Sequence, residues 1–367
     1  GFDFEKVISS RYKSDNPFLR GFIFSQLDWN LKDKLFTSIG FRFDAHSVYT
    51  EQFSPKFSIK YKPVKFIGIK ASVGSGYKAP DFRQLVLNFT NPIAGYSVFG
   101  AELLTQSLQN LDDNGQISTY LIDPETLNPL VNESSWAFNA GIELFPIDQF
   151  KIEANWFRNN VSNLIETGIV ATKTNGQSVF SYFNINKVVT QGIETNVSYN
   201  PITELRISAG YQYLDTKDLA AVEAYKNGEV ITTNSERLDV SSYGGLYNRS
   251  KHTANVKLQY ISEKYDFSIT TRLVYRGRFG FGGETNLTGY LDDDSEYTDG
   301  YFNLDFSIQK QFKDCITLFF SADNLTNATN IYLPGMAGRM FTGGVSIQFY
   351  KNQFKQTQWK ILKTLEY

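Results

Sequence analysis

The chain has 367 residues, with 36 Lys and Arg against 38 Asp and Glu for a net charge of −2, and aromatic residues make up 16% of it. A balance this close to neutral gives no electrostatic basis for nucleic-acid binding, and the single cysteine, Cys315, excludes an internal disulfide framework and a cysteine-based zinc cluster. No run approaches the roughly 18 consecutive apolar residues of a membrane-spanning helix, which leaves open a crossing by alternating strands.

The first residues, Gly1-Phe2-Asp3-Phe4, carry no signal-peptide pattern and have the character of a mature fragment. Residues 1–17 read as a loop segment. From there, period-two alternation predicts about 13 strands. In chain order they run near 18–29, 34–44, 53–61, 65–75, 134–145, 149–164, 178–199, 204–214, 251–261, 265–276, 301–311, 315–323 and 340–349. The stretch from 302 to 309 shows the pattern plainly. Phe302, Leu304, Phe306 and Ile308 fall on one face, and Asn303, Asp305, Ser307 and Gln309 on the other. Full charges on the polar faces, such as Glu194, Arg206, Lys257 and Arg272, require water or polar partners rather than an apolar core. Most of these strands are long enough, when tilted, to cross a bilayer.

The connections sort into two classes. Short ones fall at 30–33, 62–64, 146–148, 200–203, 262–264 and 313–314. Between them lie long ones at 75–133, 165–177, 214–251, 277–300 and 324–340, with 45–52 a brief member of that class. Outer-membrane barrels sort their loops in this way, with tight periplasmic turns and long outer loops, and a soluble Greek-key sandwich has no reason to. Tyr61, Phe66, Phe145, Phe150, Tyr199, Tyr260, Tyr265 and Phe349 gather where strands meet the short turns, at the level of an interfacial aromatic girdle. The fold class is therefore all-β, a transmembrane antiparallel β-barrel. Bacterial single-chain barrels close with an even strand number, so an odd count points to the C-terminal portion of a larger barrel over residues 18–349. Residues 350–367 form a tail beyond the closing strand.

Motifs from Gly40 onward carry a resemblance. The run Gly40-Phe41-Arg42-Phe43-Asp44-Ala45-His46-Ser47 is followed by Tyr77-Lys78-Ala79-Pro80-Asp81-Phe82-Arg83-Gln84. Asn128-Pro129-Leu130, Gln191-Gly192-Ile193-Glu194, Lys251-His252-Thr253, Asn324-Leu325-Thr326-Asn327 and Gly338-Arg339-Met340-Phe341 come next. Each is weak alone, but in this order they resemble the barrel of TonB-dependent outer-membrane receptors of the siderophore, haem, cobalamin and colicin-receptor type, over about residues 40–349. The resemblance implies a 22-stranded barrel with an N-terminal plug. This chain then lacks about nine strands and the plug domain. Family members usually end at the closing aromatic, here Phe349, and the tail to Tyr367 departs from that pattern.

What the resemblance implies is import of a scarce nutrient, foremost a ferric siderophore or other iron complex. Haem, cobalamin, a glycan or a peptide stand as alternatives on the same architecture, and a passive porin or adhesin barrel as the alternative class. It implies as partners the TonB–ExbB–ExbD energy-coupling complex through the missing N-terminal part, the N-terminal plug and barrel fragment of the same receptor, outer-membrane lipids and an accessory surface lipoprotein. Nucleic acid is not among them. The location is the cell outer membrane.

No nucleophile–base pair or phosphate loop is visible, so no enzyme activity, catalytic residue, resident metal or cofactor is expected. The long loops supply the candidate ligand contacts Arg83, Tyr96, Tyr120, Tyr247, Arg278, Phe279 and Tyr332. Aromatic rings offer stacking area and arginines offer paired donors to an anionic chelate. The stretch 81–127 contains no histidine, which weighs against haem, although Tyr96 and Tyr120 offer oxygen ligands of a known haem type. His46 and His252 read as structural. The acidic run from Asp292 to Glu296 reads as a solvated loop tip rather than a calcium loop.

Overall fold

The computed structural model describes residues 1–7, 9–12, 17–47, 49, 51–123, 126–281, 288–312, 315–330 and 336–348. Its 17-stranded main sheet rests on thirteen long strands. They are β1 (Phe18–Leu31), β2 (Leu35–His46), β3 (Gln52–Val64), β4 (Ile67–Lys78), β5 (Glu133–Ile147), β6 (Phe150–Lys173) and β7 (Ser178–Ile202). β8 (Leu205–Asp218), β9 (His252–Ser262), β10 (Phe267–Arg276), β11 (Tyr301–Phe312), β12 (Ile316–Asp323) and β13 (Met340–Ile347) complete the set. Each pairs antiparallel with the next in sequence, from β1–β2 through β12–β13. The long loops therefore all lie at one end, and the tight turns lie at the other, apart from the one that joins β6 to β7. At the first tight turn Lys32 and Asp33 both take positive φ (52° and 53°), the left-handed sense that matches strand twist in a hairpin.

The two faces differ in kind. On the apolar face Ile23, Leu27, Val256, Leu258, Leu273 and Val345 are exposed, Leu27 by 69%. A row of large aliphatic side chains exposed across successive strands is untenable in water and expected against lipid. At the turn end, exposed Tyr61, Phe66 and Tyr265 form the expected girdle, joined by edge-to-face Phe150 and Tyr199 at 5.7 Å. Phe349 lies outside the described residues. A second aromatic band sits toward the loop end, where Tyr275 and Phe302 pack at 4.8 Å and the Tyr211 hydroxyl shares a 2.8 Å hydrogen bond with His252 Nδ1. His252 is thus part of an aromatic band, in keeping with a structural role.

The opposite face is polar and cross-linked. Glu143 is buried between Lys60, 2.5 Å from its Oε2, and Lys70, 3.4 Å from its Oε1, and Lys70 also reaches Glu153 at 3.3 Å. These charges border a groove of about 670 Å³ lined by small side chains such as Ser38, Ser58 and Ser72. Gly192 explains one motif of the sequence. A Cβ there would fall on the Tyr213 carbonyl oxygen and lie 3.0 Å from the Phe157 ring, so only glycine lets Phe157 cover the ladder.

Two expectations need correcting. Residues 165–177 are not a long loop. β6 and β7 continue as a paired ribbon to Thr172↔Ser178, leaving only a tight turn, because alternation weakens where both faces meet protein rather than lipid and water. The leading segment is not all loop either, since Phe2–Glu5 pairs with Phe18–Gly21 at the loop end of β1. Among the described residues no ladder joins β1 to β13, and no helix is long and apolar enough to cross a membrane. The tail 350–367 lies outside the described residues.

Candidate functional site

The long loops assemble into two bodies. The first is the 79–132 loop folded against the β6–β7 ribbon. Asp81 caps the helix α1 (Phe82–Val86) in a reciprocal box, accepting from Gln84 N at 2.8 Å while Gln84 Oε1 accepts from Asp81 N at 3.0 Å. The helix docks by its first residue, with Phe82 stacked on Phe18 at 4.0 Å. The Ala79-Pro80-Asp81-Phe82 box is thus a device for seating this helix on the rim. Phe18 in turn meets His46 edge-on at 5.1 Å, which makes His46 a packing residue of the same rim.

Further along the loop, the pair Ser97–Val98 joins Val179–Phe180 of the ribbon as a parallel strand. α2 (Leu104–Asp113) drops Leu104 and Leu108 onto Val170, Ala171 and Val179. The segment Ile117–Tyr120 closes the ribbon's other edge. Lys173 is buried at this seam, and its Nζ donates to Gly95 O at 2.9 Å and Ser97 Oγ at 3.1 Å. Burial without a carboxylate partner lowers its pKa.

The second body joins the loop after β8 to the loop after β10. α3 (Leu219–Lys226), capped by Asp218, carries Tyr225 into a cluster with Tyr243 and Tyr290, each 5.6 Å away. The Tyr225 hydroxyl donates to Asp292 Oδ2 at 2.8 Å. Glu296 is buried below, its Oε2 accepting from Asp292 N at 2.9 Å and Asp293 N at 3.1 Å. The acidic run is therefore a folded, capped turn, not a free loop tip. Burial raises the phenol of Tyr243 to about 12, and burial likewise raises Tyr247 and the Glu296 carboxyl.

The structure splits the expected contact residues between these bodies. Arg83 projects from α1, exposed, with Asp81 Oδ2 3.7 Å from its guanidinium. Tyr96 is wedged edge-on between Phe89 (6.0 Å) and Phe180 (6.2 Å) and serves the loop–ribbon seam. Tyr120 stays 41% exposed, and desolvation together with Asp112 raises its phenol. In the second body Tyr247 is 39% exposed and donates to Gly289 O at 3.1 Å. Arg278 lies 4.1 Å over the Tyr297 ring and pairs with Asp294. Phe279 is fully buried beneath the Arg276 guanidinium, 3.9 Å away, and has no surface to offer a ligand. Tyr332 lies outside the described residues. The Tyr225–Tyr243–Tyr290 cluster escaped the sequence reading, because its members are far apart in the chain and follow no period. Among the described residues no group of three or more His, Cys, Asp or Glu is arranged to hold a metal.

Comparison with known proteins agrees with this architecture. The family model described as "TonB dependent receptor-like, beta-barrel" matches residues 4–325. The ferrienterobactin receptor of Escherichia coli (strain K12) is 28% identical over 184 residues, 50% of this chain and 22% of that receptor. The ferric enterobactin receptor PirA of Pseudomonas aeruginosa is 25% identical over 238 residues, 61% of this chain and 30% of that receptor. The chain thus spans less than a third of the length of these curated relatives. Among solved structures, the siderophore receptor PirA from Acinetobacter baumannii superposes with a TM-score of 0.60 at 17% identity, over 91% of this chain and 46% of that one. At that identity the likeness concerns the fold.

Proposed function

Since the chain belongs to the TonB-dependent receptor family, matching the model of its β-barrel domain over most of its length, we propose that it forms part of the wall of an outer-membrane importer of a ferric siderophore. The apolar face with its two aromatic bands sits in the outer membrane, the tight turns face the periplasm and the long loops face outward. The observation that carries the ligand reading is the exposed Arg278 stacked over the partly buried Tyr297 ring, on the same loop body that carries the exposed Tyr247, a cation and aromatic rings offered by one part of the outer rim. That pairing suits an anionic, aromatic iron chelate, and the relatives named above are receptors for ferric enterobactin.

The strand directions support a wall shared with further strands. β1 and β13 both run from the loop end to the turn end, so direct closure between them would be parallel. An antiparallel closure takes an odd number of strands between them, and about nine would complete a 22-stranded barrel. Phe2–Glu5, antiparallel to β1, starts that series. A plug domain inside the wall and energy from the TonB–ExbB–ExbD complex complete the reading.

The test is a fluorescence-quenching titration of the full receptor with ferric enterobactin and with haemin. Saturable quenching by ferric enterobactin, weakened at least tenfold in Arg278→Ala, is the expected result. Tight haemin binding with a Soret shift, and no response to the siderophore, would overturn the iron-chelate reading.

A further inference from the structure

The loops that follow β8 and β10 are neighbours on the rim because only the β9–β10 hairpin separates their roots. Adjacent barrel loops ordinarily move independently. Here they share a core. Tyr225 from the first loop is 2% exposed and Leu291 from the second is 1% exposed. Backbone bonds also cross between the loops, from Gly244 N to Leu291 O (2.6 Å) and from Asn248 N to Gly280 O (2.6 Å). At the roots, Ser250 Oγ donates to Gly277 O at 2.7 Å.

One position keys the assembly. Gly244 lies under the Tyr297 hydroxyl, and a Cβ there would collide with it and sit 2.8 Å from the Leu291 carbonyl oxygen. Within the second loop, the space at Gly280 is filled by that loop's own Leu291 side chain, which shapes the surface that receives Gly244. The first loop therefore supplies a glycine that admits a residue of the second, an arrangement that the first loop does not need for its own fold.

We propose that the 219–250 loop and the described parts of the 277–300 loop are a single rigid body, keyed at Gly244 and Tyr225–Asp292, which carries Tyr247 and Arg278 as one unit. Tyr225, Asp292 and Gly244 are positioning residues for those two side chains. The unit's existence does not depend on the ligand reading above. If that reading holds, the ligand meets both side chains in fixed relation, and closure over it moves both loops or neither.

Hydrogen exchange on the full receptor in detergent, without ligand, tests this. Gly244→Ala, altered in the first loop, is expected to speed exchange at least tenfold in both loops and to leave the 79–132 loop unchanged. Tyr225→Phe removes only the bond to Asp292 and is expected to show the same two-loop pattern at smaller amplitude, which serves if the alanine variant fails to assemble. Acceleration confined to the first loop, or found in neither, would overturn the proposal whatever the siderophore titration shows. Loss of siderophore quenching with intact two-loop coupling would instead count against the ligand reading alone.

Discussion

The side-chain amide of Asn184 donates to the Asn163 carbonyl at 2.7 Å, at the level where β6 and β7 pass beyond their neighbours in the wall and continue as the ribbon that the 79–132 loop packs against. The same amide donates to Val131 O at 3.1 Å, and its oxygen accepts from Val131 N at 2.9 Å. Asn163 holds a positive φ of 57°, a left-handed residue inside an otherwise extended strand. One side chain thus ties the ribbon, the returning loop and the wall together.

Removing that tie should loosen the ribbon and spare the barrel. Asn184→Ala leaves several backbone groups short of partners, at about 1–3 kcal/mol for each left buried. Exchange should accelerate over 164–187 with the rest of the wall unchanged. Uniform protection along both strands would show that the ribbon does not depend on this joint.

The assignment of faces predicts an asymmetry. Val256→Arg places a charge mid-strand on the lipid face and should cost about 2–4 kcal/mol in folding into bilayers. Ser208→Arg, opposite Lys257 on the polar face, should cost well under half of that. Denaturant titration in lipid vesicles reads both, and equal costs would mean that the faces are wrongly assigned.

The polar face makes its own prediction. Glu143→Ala leaves Lys60 and Lys70 facing each other across the β3–β4 ladder without the carboxylate between them. Both lysines are about one-third exposed, so water screens part of the loss and about 1–3 kcal/mol is expected. Adding Lys60→Met should recover part of it. A double-mutant cycle by thermal unfolding in detergent checks this, and strict additivity would show that the pair is uncoupled.

Alkaline pH should open the second loop body. Burial raises the Tyr243 phenol to about 12 from its ordinary value near 10. The stability linked to this raised pKa is fully present below pH ~10 and is lost as pH rises through the folded value. Exchange in the 219–250 loop, corrected for the intrinsic pH dependence, should therefore rise between pH ~10 and ~12. Tyr243→Phe should flatten that rise, and an unchanged profile in the variant would exclude this phenol as its source.

The sequence determined the strands and their orientation. Alternation such as Phe302-Asn303-Leu304-Asp305 is a local consequence of lipid on one side and polar surroundings on the other, so it is written in consecutive residues. The sorting of turns and loops follows equally locally, as do the girdle at Tyr61 and Phe66 and the capping box at Asp81. What the tertiary structure decided lies beyond the membrane level, where no solvent boundary imposes a period. There Phe279 turns inward, the 165–177 stretch joins a ribbon, and the chain brings Tyr225 to Asp292 across 67 positions. Contacts between loops depend on which loop tops stand side by side on the rim, and only the folded sheet sets that neighbourhood.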